Sequence, residues 1–113
     1  MTEAQFQCCV KQFADMHKLP MHHSANEAKR SVVLGKRLKD MGMIPGFSDC
    51  FFLRGNQQYK GLFLELKIKP NKLTATQEQF LAMVNKEGYL GLACYSIDEA
   101  LKIIIDFYSL VCV

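Results

Sequence analysis

Residues 62–69 read LFLELKIK, and apolar side chains recur there at every second position. In an extended chain Leu62, Leu64, Leu66 and Ile68 share one face, while Phe63, Glu65, Lys67 and Lys69 share the other. A period of two excludes a helix over this stretch. It puts Glu65 and Lys67 side by side on one strand. Taken alone, the pattern describes an amphipathic strand with one solvated face. The run before it changes that reading. A Pro45-Gly46 turn opens a second apolar run, residues 49–53, which begins with the carboxylate Asp49. The segment between the two runs, RGNQQYKG, is polar and holds two glycines, so the runs form an antiparallel hairpin. A modest register then brings Asp49 close to Glu65 at one end of a sheet.

The flanking segments dictate what surrounds the hairpin. Residues 2–17 suit a helix capped by Thr2, with Phe6, Val10 and Phe13 on one stripe. Pro20 breaks the pattern, and Met21 to His23 read as a short extended piece. A second helix is expected from near Ser24, where Glu27 has capping-box spacing, to DMGM, where Gly42 can take the left-handed C-terminal position. Pro70 and Asn71 end the second hairpin strand. Thr74 with Gln77 opens a third helix that runs to about Lys86 and stops at Gly88. Residues 89–95, YLGLACY, form a short apolar strand, and Ser96 with Glu99 starts the last helix. A hairpin joined through a helical crossover to a buried strand implies a mixed sheet with helices on both faces, an α/β sandwich.

Bulk properties bound the class. At 113 residues, half of them apolar and 22% charged, the chain is long enough for one domain with its own core, spanning residues 1–113. Five cysteines, an odd number with no C-x-x-C pair, point to reduced thiols and a cytoplasmic protein; the adjacent Cys8 and Cys9 are expected as core or boundary residues. No apolar run reaches the ~18 residues of a membrane span. The stretch KIIIDFYSLVCV is interrupted by Asp106 and reads as a buried helix with its tail. A net charge of +3 is too small to imply a polyanionic partner unless the cations gather on one face. They do gather: Lys29 and Lys36 are seven residues apart, as are Arg30 and Arg37, so all four adjoin on one helical surface. Such a stripe suits either a solvated helix or contacts to nucleic-acid phosphates.

A buried carboxylate without a partner is costly, so Asp49 needs a cation, donors or water. Asp49, Glu65 and the backbone carbonyl of Leu66 together make a hard oxygen site suited to Mg²⁺ or Mn²⁺. Lys67 would end near the same point, able to orient or deprotonate a water and offset negative charge.

These residues resemble the PD-(D/E)xK nuclease core, and their setting resembles the VRR-NUC domain. PGFSD is followed by ELK, and around them stand NEAKRS, LKDMGMIPGFSD, GLFLELKIKPNKLTATQEQFL and SIDEA, covering roughly residues 25–108. The resemblance implies a restriction-endonuclease-like fold, with Asp49 and Glu65 as metal ligands and Lys67 as the catalytic lysine. It also implies a place for Gln77 beside the active site, although capping-box spacing to Thr74 explains this glutamine equally well. Glu27 has the same ambiguity with Ser24. Glu3 is a candidate for a further acid near the metal, or a first-turn glutamate favoured by the helix dipole. The family motif often has proline immediately before the aspartate, where this chain has Ser48.

The resulting expectation is a Mg²⁺-dependent endonuclease, with Mn²⁺ able to substitute. By resemblance it acts on branched DNA such as four-way (Holliday) junctions, as a homodimer in a bacterial cell or phage-infected host. The apolar last helix and its SLVCV tail are a candidate dimer surface, or simply core. Phe63 and Tyr59 can stack on bases or pack beneath neighbouring elements. His17, His22 and His23 suit boundary or phosphate-contacting roles. The competing readings are a DNA-binding or scaffolding module that kept the fold and lost turnover, and a metal-dependent hydrolase of a non-nucleic substrate.

Overall fold

The structure, a computed structural model, describes residues 1–24 and 32–111. Among the described residues, four helices and four strands follow the expected order: α1 (Glu3–Met16), β1 (Met21–His23), α2 (Val32–Asp40), β2 (Cys50–Phe52), β3 (Leu62–Leu66), α3 (Ala75–Lys86), β4 (Leu90–Cys94) and α4 (Ile97–Tyr108). The strands pair in the order β1-β2-β3-β4. β1, β2 and β3 are antiparallel neighbours, and α3 carries the chain over to β4, which runs parallel to β3.

Helix starts are fixed by side-chain caps. Thr2 Oγ1 accepts from the Gln5 N–H while Gln5 Oε1 accepts from the Thr2 N–H, closing a full capping box on α1. Thr74 and Gln77 do the same for α3. At α4 Ser96 Oγ accepts from the Glu99 N–H at 3.1 Å. Gly42, past the end of α2, has φ +107°, the left-handed conformation expected there. The proposed start of α2 at Ser24 and Glu27 lies outside the described residues.

The sheet is covered on both faces, and this corrects the solvated-face reading of residues 62–69. On one side Phe6, Val10 and Ala14 of α1 and Ala100, Ile104 and Phe107 of α4 bury Cys50, Phe52, Leu62, Leu64 and Leu66. The last helix therefore contributes to the core. On the other side Phe80, Leu81 and Val84 of α3 cover Phe63, with Phe47, Phe51 and Tyr89 around it. Phe51 and Phe63 stack at 4.2 Å with an interplanar angle of 4°. Phe63 is thus an interior aromatic, each such ring contributing about 1.5–3 kcal/mol by burial. Tyr59 packs against Phe107. Neither ring is presented for base stacking. Exposed apolar side chains collect instead around α2 and its exit, at Val33, Leu34, Met41 and Ile44.

The chemistry-bearing positions lie where this double cover ends. Every residue of β3 is buried, Glu65 included. Thus a carboxylate occupies a position that packing alone would fill with a hydrocarbon.

Candidate metal and phosphate site

The hairpin register is Cys50↔Leu64, Phe51↔Phe63 and Phe52↔Leu62. Continued by one residue, it sets Asp49 across from Glu65. Asp49 stands just before β2, where backbone pairing stops, and its side chain extends the ladder: Oδ2 accepts from the Leu66 N–H at 2.9 Å. Its carbonyl accepts from the Ser24 N–H at 2.9 Å and lies 3.1 Å from His23 Nδ1. Asp49 is half-buried, and one of its carboxylate oxygens is matched to a fixed backbone N–H.

Glu65 is only 2% exposed. Oε1 accepts from Gln77 Nε2 at 3.0 Å. Oε2 is buried without a hydrogen-bond partner. Gln77 thus makes two bonds with one side chain. Its Oε1 closes the helix cap by accepting from the Thr74 N–H at 2.9 Å, and its Nε2 holds Glu65. Sequence spacing could reveal only the first of these, because the second depends on how α3 is laid over the sheet.

Burial, and then the neighbouring Asp49 carboxylate, push Glu65 up to about 8, against the opposing pull of Lys67. Lys67 is 9% exposed, and among the described residues no ion pair joins it to either carboxylate. The three groups are therefore close enough to act on one another, with the carboxyl of Glu65 favouring its proton beside Asp49. A buried carboxyl oxygen with no donor is suited to ligate a cation. A lysine with a largely buried stem and no ion pair among the described residues is suited to receive an anion. Both groups would be satisfied by a cation-bound phosphate.

The remaining sequence candidates divide. Glu3 is exposed at the start of α1 and shares a cavity of about 350 Å³ with Asp49, Gln7, His23 and Leu66. Among the described residues no group of three or more His, Cys, Asp or Glu is arranged to hold a metal, so Glu3 does not complete a carboxylate cluster with Asp49 and Glu65. Lys36 and Arg37 are exposed on α2. Glu27, Lys29 and Arg30 lie outside the described residues. Ser48, standing where the related pattern has proline, is fully buried and its hydroxyl has no partner. The contact of His23 with Asp49 is absent from any sequence motif and follows from the β1-β2 pairing. The thiols of Cys50 and Cys94 are each pushed up to about 12 by burial, which keeps them protonated and outside this chemistry.

The raised Glu65 makes a prediction for the metal-free protein. Its ordinary value is 4.5, and in the fold it holds its proton up to about pH 8. Between those limits the native state binds more protons than the unfolded chain. Stability is therefore complete below about 4.5 and is lost as pH rises toward 8. Glu65→Gln keeps an amide oxygen for Gln77 Nε2 and removes the titration. In EDTA it is expected to stabilise the fold by about 1–3 kcal/mol at pH 8 and by little at pH 5. Urea unfolding of both proteins at the two pH values checks this; a pH-independent difference would show that Glu65 is ionised throughout.

The architecture is a mixed four-stranded sheet flanked by helices, the restriction-endonuclease-like arrangement of the α/β class, with two carboxylates and a lysine at one end. More narrowly, the fold is that of a VRR_NUC domain protein of known structure. The two superpose with a TM-score of 0.82 at 24% identity, over 97% of this chain and 90% of the other. No family model and no curated protein matches the chain. No helix among the described residues is long and apolar enough to cross a membrane.

Proposed function

We propose that this chain is a divalent-cation-dependent endonuclease of the VRR-NUC type that hydrolyses phosphodiester bonds in branched DNA, four-way junctions among them, as a homodimer. One observation carries the reading. Glu65 is buried opposite Asp49 with one oxygen held by Gln77 and the other unpartnered, next to the nearly buried Lys67. A purely structural strand has no use for this costly arrangement, whereas a phosphate-cleaving site does.

In this reading Asp49, Glu65 and the Leu66 carbonyl would hold Mg²⁺, with Mn²⁺ as a substitute. Glu3 is near enough to the Asp49 cavity to act through a water. The ion would polarise the scissile phosphate and favour deprotonation of the attacking water. Lys67 then orients that water and carries positive charge where negative charge grows in the transition state. Gln77 keeps Glu65 in one rotamer, so no reorganisation is needed as the phosphate enters. Lys36 and Arg37, with Lys29 and Arg30 of the same sequence stripe, contact DNA phosphates away from the cut and position it without reading bases. Two active sites at fixed separation are what symmetric cutting of a junction requires, which favours a twofold dimer. The exposed apolar residues around α2 supply surface for one.

The test is cleavage of a labelled four-way junction and of a linear duplex of the same sequence, with Mg²⁺ or Mn²⁺, with EDTA, and with Asp49→Ala. Junction cutting that disappears with EDTA and in the variant is the expected result. Binding of the junction with no cutting under either metal would leave a DNA-binding module as the better account. Equal cutting of both substrates would remove the branched-DNA preference alone.

A further inference from the structure

A second cavity, of about 540 Å³, lies beyond the carboxyl ends of β3 and β4. Lys69, Lys72 and Leu73 line it from the loop after β3, Tyr95 from the end of β4, and Glu78 from the first turn of α3. Its volume falls in the range of small-ligand sites, about 300–1,000 Å³. It also sits where α/β sheets tend to bind ligands, outside the carboxyl ends of neighbouring parallel strands. The Lys67 N–H donates to the Cys94 carbonyl at 2.8 Å, carrying the β3-β4 ladder to the brink of this cavity. Lys69 is two residues beyond Lys67, and Glu78 directly follows Gln77. The cavity is therefore lined by residues that follow Lys67 and Gln77 of the carboxylate site by one or two positions.

Its chemistry is mixed in a specific way. Lys69 and Lys72 are exposed, and among the described residues neither forms an ion pair. Tyr95 is half-buried, with no aromatic neighbour among the described residues, although rings elsewhere in the chain pack on one another. Pro70 and Leu73 complete a largely apolar floor. Two lysines, a half-buried aromatic ring and apolar side chains lining one cavity match a nucleotide, whose anionic and π-faced halves need different surroundings. Glu78 disfavours phosphate on the α3 side, which directs the backbone toward the lysines and the base toward Tyr95.

We propose that this cavity takes one nucleotide of the DNA strand, adjacent to the phosphate being cut, with its base on the Tyr95 ring and its phosphates on Lys69 and Lys72. The proposal rests on the nuclease reading above and adds to it a strand-binding site next to the catalytic one. Stacking on an aromatic ring tolerates any base, so this contact holds the strand in place without selecting sequence.

The experiment uses junctions carrying the fluorescent base 2-aminopurine at successive positions on both sides of the cut, bound by full-length protein with Ca²⁺ in place of Mg²⁺. Cleavage with Mg²⁺ is followed in parallel. Quenching confined to one position next to the cut is expected, lost in Tyr95→Leu and retained in Tyr95→Phe. Tyr95→Leu should raise KM about tenfold with kcat little changed. Lys69→Gln and Lys72→Gln should each reduce the salt dependence of binding by about one counter-ion. Melting curves of each variant exclude misfolding as the cause. Wild-type cleavage with no position-specific quenching, or with Tyr95→Leu indistinguishable from wild type, would overturn the nucleotide site and leave the nuclease reading intact. A wild type that neither binds nor cuts would overturn both.

Discussion

Replacing Lys67 by methionine is expected to slow junction cleavage by about 10³-fold or more while leaving the melting temperature nearly unchanged. Methionine preserves most of the buried stem and removes only the ammonium. Lys67 also works against the upward push on Glu65, so without it Glu65 moves higher still. Glu65 should therefore hold its proton to higher pH in the variant, and the residual activity should need a more alkaline pH. Single-turnover cleavage from pH 6 to pH 9 at several Mg²⁺ concentrations measures both effects. A uniform loss of rate with an unmoved pH profile would mean that Lys67 acts on the transition state alone. An unchanged rate would remove it from the chemistry.

Gly46→Ala is the substitution expected to do most damage away from the charged groups. Gly46 has φ +74°, and a β-carbon there would overlap the Thr76 carbonyl oxygen and lie 2.8 Å from the Gln77 nitrogen. Both are backbone atoms in the first turn of α3, so no side chain can move aside to make room. The strain of the left-handed conformation adds to the overlap, and together they should cost about 2–4 kcal/mol. Urea unfolding checks the loss. Since Gln77 would be displaced along with the helix start, cleavage should also fall by at least tenfold under conditions where the variant remains folded. A variant that unfolds like wild type would mean that the turn and α3 are not in contact.

Much of this architecture was legible because its signals are local. Alternation over residues 62–69, caps at Thr2, Thr74 and Ser96, and the glycine after α2 each act within a few residues, and each element formed close to where those signals put it. Asp49 opposite Glu65 was also within reach, because a hairpin leaves few registers. What escaped was set by contacts between elements distant in sequence. Nothing in LFLELKIK says that α3 will close over its charged face, so a strand buried on both sides reads as a half-exposed one. The second bond of Gln77, the approach of His23 to Asp49 and the cavity around Tyr95 depend in the same way on how layers are stacked. Phe63 and Tyr59 illustrate the reverse case, aromatics whose polar sequence neighbours disguise an interior position.

The two bonds of Gln77 have a mechanical consequence. Gly46 abuts the start of α3, Gln77 in that start grips Glu65, Glu65 faces Asp49, and Asp49 lies three residues after Gly46. These links close a ring through three separate elements, and a closed ring has fewer free movements than an open chain of the same parts. Fraying of the first turn of α3 would open it and loosen both carboxylates at once. Conversely, anything that clamps Glu65 and Asp49 together also pins a helix end, so the grip of the site on its ligand and the firmness of that helix rise and fall together.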